Sequence, residues 1–154
     1  MTTRKAERPR ATPFKDFDIT SAPGHLLRRC HQRSHELYNE VTAEFGLTRQ
    51  QFALLLALLQ RPGSSVQEIT DLTGVDRNTL GGIVTRLEAK KLLDRRRSDR
   101  DARAYELQIT PTGIALLAEM EAAIATVGNR ILEPLTPTER ADFLRYARKL
   151  AGLD

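Results

Sequence analysis

Apolar residues recur at Leu26, Cys30, Leu37, Val41 and Phe45, with Ser34 filling the one gap, and this spacing lays a single stripe along a helix. Leu27 and Tyr38 widen the stripe. Ser21 and Pro23 open the helix and Gly46 ends it. A second helix starts at a capping box, Thr48 with Gln51, and Leu47 with Phe52 has the spacing of a hydrophobic staple. Phe52, Leu55, Leu56 and Leu59 are its expected buried face, and Arg61-Pro62-Gly63 stops it. The third helix is short. Ser65 and Glu68 form another capping box, Ile69 and Leu72 are expected to face inward, and Gly74 closes it. Only Val75 separates that glycine from Asp76, a good N-cap for the next helix. Two helices joined by so tight a turn cross steeply, which is the helix-turn-helix pattern.

In the fourth helix, Leu80, Ile83, Val84 and Leu87 follow the i, i+3, i+4, i+7 rule and face a core. The opposite face carries Asn78, Gly81, Gly82, Thr85 and Ala89, flanked by Arg77 and Arg86. An ordinary solvent face would favour Glu and Lys. Small and polar groups suit a helix pressed into a groove. Asn78 matches adenine bidentately, Arg77 matches guanine, and the Thr85 methyl matches the thymine methyl. Each glycine costs about 1 kcal/mol against alanine in a helix. Close backbone approach to DNA is one reason to carry them, and a tolerated weak helix is the other.

Leu92-Leu93 leads into Arg95-Arg96-Arg97 and a polar tip, Ser98 to Arg103. Tyr105, Leu107 and Ile109 then alternate with Glu106 and Gln108, the period of a half-buried strand. Two short strands around a charged tip make a β-hairpin, whose tip suits the DNA backbone and the minor groove. Thr110-Pro111 opens a fifth helix. Leu117, Met120, Ile124, Val127 and Ile131 form a heptad-like seam along it, which suits a partner helix. After Pro134, a third capping box at Thr136 and Glu139 starts a last helix with Phe143, Leu144, Ala147 and Leu150 expected inward. These two long striped helices have little else to cover them. A second subunit and the first helix of the same chain remain alternative partners.

Charge sharpens the picture. The 154 residues carry a net charge of +4. Between Arg77 and Arg103 nine basic residues face four acidic ones, a net of +5. Residues 1–18 add +2, contain Pro9 and Pro13, and show no apolar period, so a flexible basic arm is expected there. A concentrated patch suits a polyanion, because each neutralised phosphate releases counterions. A solvated face and a protein-binding wing are the competing readings, and a steep salt dependence separates DNA from both. Hydrophobic residues at 40% and charged ones at 29% fit a soluble globular class. Aromatics at 5%, with no tryptophan, argue against a stacking platform for single strands. The N-terminus lacks the apolar region of a secretory signal, and no run of about 18 apolar residues exists to span a membrane. The expected compartment is the cytoplasm.

Catalytic chemistry finds no constellation. No nucleophile elbow, P-loop or dinucleotide fingerprint is present. His25, His31 and His35 all lie on the first helix, and His31 with His35 has i, i+4 spacing, but no further ligand completes a metal set. Neither metal nor cofactor is expected. Cys30 on the apolar stripe reads as a core thiol, while Arg29 and His31 beside it leave room for an activated one. A ligand pocket is expected where the first helix meets the second and fifth. His31 and Tyr38 would border it, and Arg29 and Arg33, one turn apart, would hold a carboxylate or phosphate.

The segment from Val66 to Gly113 resembles the reading unit of MarR-family winged helix-turn-helix regulators. The element order of residues 20–150 is similar too, and Asp101-Ala102-Arg103 with Leu107, Thr110 and Gly113 are the most family-like residues. The resemblance implies a mainly α fold with a small β-hairpin wing. A winged helix-turn-helix over 47–109 would stand between dimerisation helices over 19–46 and 110–154, all one domain from 19 to 154. It implies a homodimer on a pseudopalindromic double-stranded operator, acting as a repressor released by a small-molecule effector. The fourth helix would enter the major groove. Arg103, oriented by Asp101, would enter the minor groove. The implied DNA-contacting set is Ser65, Arg77, Asn78, Thr79, Gly82, Thr85, Arg86, Arg95, Arg97, Arg100, Asp101 and Arg103. The implied effector set is Arg29, His31, Arg33 and Tyr38. The family often has a Thr-Arg or similar pair where Gly81-Gly82 stands, and glycine where Lys91 stands. Asp76 to Leu80 and the run Gly24 to Gln32 look similar to a branch answering aromatic acids or their coenzyme A thioesters. Some relatives sense peroxide through a cysteine early in the first helix. That makes a redox switch at Cys30 the alternative input.

Overall fold

The computed structural model describes residues 13–97 and 105–153, with only the backbone at Arg97. Two compact units are distinguished, residues 1–32 and 33–154. In the first, Phe17 N–H donates to Phe14 O at 3.0 Å, and the two rings meet edge to face at 5.9 Å. Asp18 then caps a single helical turn, Ile19–Ser21, by accepting from Thr20 N–H.

Helix α1 runs Pro23–Thr42. It is followed by α2 (Arg49–Gln60), α3 (Val66–Thr73) and α4 (Arg77–Ala89). Strands β1 (Leu93–Arg97) and β2 (Tyr105–Ile109) pair antiparallel, with Leu93 opposite Ile109 and Arg97 opposite Tyr105. Helices α5 (Pro111–Leu132) and α6 (Pro137–Leu150) complete the order.

The start signals act as their chemistry dictates. At Thr48, Ser65 and Thr136 the cap hydroxyl takes the N3 amide and the N3 side chain returns to the cap amide. Gly74 ends α3 in the left-handed region at φ 66°, and Asp76 caps α4 by accepting from Asn78 and Thr79 N–H. The core of residues 33–154 joins Leu54, Leu55 and Leu58 of α2 to Ile69 of α3 and to Leu80, Ile83, Val84 and Leu87 of α4. Leu93, Leu107, Leu117, Met120 and Val127 close it. The α5 seam therefore turns Leu117, Met120 and Val127 into its own chain's core.

Four expected faces differ from the observed ones. On α1 the buried side chains are Leu37, Tyr38 and Thr42, whereas Leu26, Leu27 and Cys30 are exposed. The period is helical throughout, but period alone names a side and not a neighbour. On α2 the buried face is Gln51, Leu54, Leu55, Ala57 and Leu58, rotated from the expected Phe52, Leu56 and Leu59. Gln51 is buried on this face, its side-chain oxygen accepting from Thr48 N–H at 3.0 Å. Leu72 on α3 is exposed. On α6, Phe143, Leu144 and Leu150 are exposed on the single chain.

Candidate nucleic-acid interface and ligand pocket

Helix α4 buries one side completely and shows the other to solvent, where Arg77, Asn78, Thr79, Gly81, Gly82, Thr85 and Arg86 are all exposed. The glycines have no internal cause. A methyl group at Gly81 would meet nothing within 4 Å, and at Gly82 only the Arg86 guanidinium at 4.0 Å. Neither has a positive φ. Thr85 spends its hydroxyl on Gly81 O at 3.1 Å, which leaves its methyl as the outward group. The Thr79 hydroxyl is spent likewise on Asp76. The Thr79 hydroxyl and amide hold the Asp76 carboxyl below its ordinary pKa, so the cap is ionised at neutral pH.

A groove of about 580 Å³ runs between α3, α4 and the hairpin. It brings together Ser65, Arg77 and Arg95 of the expected DNA set, with Gln67, Gly81 and Tyr105. The sequence pattern makes Tyr105 an apolar position of a half-buried strand and assigns Gln67 nothing; both are exposed beside this basic groove, which is visible only once α3 and β2 are side by side. Arg95 is tied to α4 by an ion pair with Glu88 at 3.0 Å, so the stem of the wing and the last turn of α4 are linked. The expected contacts Arg100, Asp101 and Arg103, and the Arg97 side chain, lie outside the described residues.

Where α1, α2 and α5 of the 33–154 unit meet, a smaller slot of about 290 Å³ is lined by Tyr38, Arg49, Phe52, Ala53, Ile124, Val127, Gly128 and Ile131. Tyr38 is buried and donates to Leu47 O at 3.3 Å; burial raises its pKa. Arg49 Nη2 donates to Ser34 O at 2.7 Å, and the guanidinium stands 5.5 Å from the Tyr38 ring centre. Arg33 is exposed and pairs with Glu36 at 3.7 Å, and Arg29 and His31 are exposed. Arg49 had no sequence signal, since its neighbours Thr48 and Gln51 explain that stretch as a cap. Among the described residues no group of three metal-ligand side chains gathers, and no helix is long and apolar enough to cross a membrane.

The geometry defines a winged helix-turn-helix: α3 and α4 joined by a tight turn at Gly74-Val75, a two-stranded wing, and flanking helices. Residues 45–104 match the model of the MarR family. The repressor NicR of Pseudomonas putida is 32% identical over 97% of this chain and 96% of its own length. The chain belongs to the MarR family of helix-turn-helix transcriptional regulators, and its relatives are regulators rather than enzymes. Among solved structures, Bordetella bronchiseptica BpsR, described with the regulation of its DNA binding by 6-hydroxynicotinic acid, superposes with a TM-score of 0.85. It is 30% identical and covers 90% of this chain and 99% of its own. The repressor CouR, solved bound to a 23-mer DNA duplex, gives a TM-score of 0.81 at 29% identity over 91% of this chain and 98% of its own.

Proposed function

We propose that this chain is a cytoplasmic, homodimeric repressor that grips a pseudopalindromic operator and lets go when a small molecule binds. Helix α4 enters the major groove, and the wing carries Arg103, oriented by Asp101, into the minor groove. The observation that carries the reading is the outward face of α4, where two glycines that nothing inside the chain requires lie between Arg77 and Arg86. The groove with Ser65, Arg77 and Arg95 supports it, as does the CouR complex with a duplex. The exposed apolar residues of α6 support a second copy as partner. Control of BpsR by 6-hydroxynicotinic acid supports an effector. The two reading heads must stand about 34 Å apart to meet successive turns of a duplex, and an effector that favours another separation releases it.

The test selects an operator from a random duplex library and titrates it by fluorescence anisotropy. Arg77→Ala and Arg103→Ala are each expected to weaken binding about tenfold or more while sedimentation still reports a dimer. Affinity should fall steeply with salt. Unchanged affinity in both variants sinks the reading.

Exposure of Cys30 favours a second input, oxidation of its thiol. Under peroxide, Cys30→Ser should then hold its operator while the parent releases it. Equal loss in both excludes the thiol.

A further inference from the structure

Glu88 is the one acid in α4, and it stands on the last turn of that helix. Beside a polyanion an acid costs affinity, because it repels the phosphates that the surrounding arginines attract. Its carboxylate meets Arg95 of β1, whose Nε donates to Oε1 at 3.0 Å. Both side chains stay partly exposed, and an ion pair so placed contributes little to stability. What the pair does supply is direction. Arg95 stands opposite Leu107 in the hairpin and two residues from Leu93, so it shares the sheet face of those two buried leucines. The groove between wing and α4 is lined by Arg95, Tyr105 and Leu107 on one side and by Arg77, Gly81 and Val84 on the other. Glu88 takes the Nε of Arg95 and leaves its Nη groups to that groove.

We propose that Glu88 is a positioning residue for DNA recognition: its carboxylate holds the Arg95 guanidinium against α4, so that Arg95 meets a backbone phosphate and the wing engages the duplex in register with the reading helix. The proposal rests on the operator-binding reading above and adds to it a residue that touches no DNA itself. The connection from α4 to β1 runs only from Lys90 to Leu92, and Leu92 N–H donates to Leu87 O at 3.0 Å, so the backbone fixes the root of the strand. Beyond that root, Glu88 and Arg95 form a side-chain tie between reading helix and wing. A guanidinium matches a phosphate bidentately when its plane is held, and one already ordered gives up less freedom on binding. Two readings of the same acid differ in sign. As a bare charge, Glu88 repels DNA, and its removal tightens binding. As the holder of Arg95, its removal weakens binding.

The test titrates a selected operator against the full chain and its variants by fluorescence anisotropy. Glu88→Gln should bind about fivefold or more weakly, although it removes a negative charge beside DNA. Its log–log salt slope should flatten by about one, the signature of one lost phosphate contact. The urea midpoint and the dimer should match the parent, whereas a residue that serves folding alone would lower the midpoint and leave the slope unchanged. Arg95→Ala should weaken binding to a similar degree, and adding Glu88→Gln to it should cost nothing more. Tighter or unchanged binding by Glu88→Gln, an unchanged slope, or a full second loss on top of Arg95→Ala would each overturn the proposal. Glu88→Ala, which puts a good helix former at that position, faces the same outcomes should the glutamine variant not fold. A parent chain that selects no operator fails the operator reading and this proposal together. An operator held equally by the parent and by Glu88→Gln fails this proposal alone.

Discussion

Gly113 is the residue at which one added methyl group does most harm. A Cβ built there lies 2.4 Å from the Leu92 carbonyl oxygen and 2.8 Å from Ile109 Cγ1. The oxygen is backbone, and Thr110 holds the same carbonyl through its amide at 3.1 Å, so it has little freedom to move. Gly113→Ala is expected to cost about 3 kcal/mol, the upper range for overpacking. Urea unfolding should show a lower midpoint with an unchanged slope. Lys91 presents the opposite case. It sits at φ 58°, a left-handed conformation that costs a side chain about 1 kcal/mol and glycine nothing. Lys91→Gly should raise stability by about that amount in thermal unfolding. Both positions were visible in the sequence only through likeness to a family. The resemblance implies glycine at the first and, often, glycine at the second. The reasons were hidden, because one lies in a carbonyl twenty-one residues away and the other in a backbone angle.

Helix α4 was legible in full: Asp76 as cap, four apolar residues at helical spacing, and a small polar face opposite. Helix α2 was legible in its ends but not in its facing, because a hydropathy pattern counts Gln51 as polar whereas it is 4% exposed and its polar group is satisfied within the capping box. The groove at α3, α4 and the wing was half legible. Ser65, Arg77 and Arg95 could be named, whereas Gln67 and Tyr105 needed the elements assembled. Within α4 the glycines set stability against binding. Gly81→Ala should gain about 1 kcal/mol, since a methyl group meets only open space. The same variant should bind operator about tenfold or more weakly if the backbone must lie against bases. Greater stability with unchanged affinity would mean that these glycines are only a weak stretch of helix.

Apolar side chains left in the open on a single chain mark where the molecule is expected to continue into a second copy. On α6, Phe143 is 40%, Leu144 51% and Leu150 76% exposed, at spacings that share one face. Their helical spacing predicts an inward role, but a period does not name whose interior they occupy. Replacing Leu144 and Leu150 together by Glu should yield a monomer by sedimentation, with helical content retained. Operator affinity should then fall about a hundredfold or more, because two linked heads no longer share one duplex. Retained dimers would move the interface to other helices. The joint between wing and α5 has its own consequence. Thr110 caps α5, and its hydroxyl also grasps Lys91 O at 2.8 Å, so the helix is bolted to the root of the hairpin. Strands of five residues extend about 17 Å, so a lever tilted by about 10° at that root carries the far end through about 3 Å. A repositioned α5 would thus carry with it the described far ends of the strands, Arg97 and Tyr105.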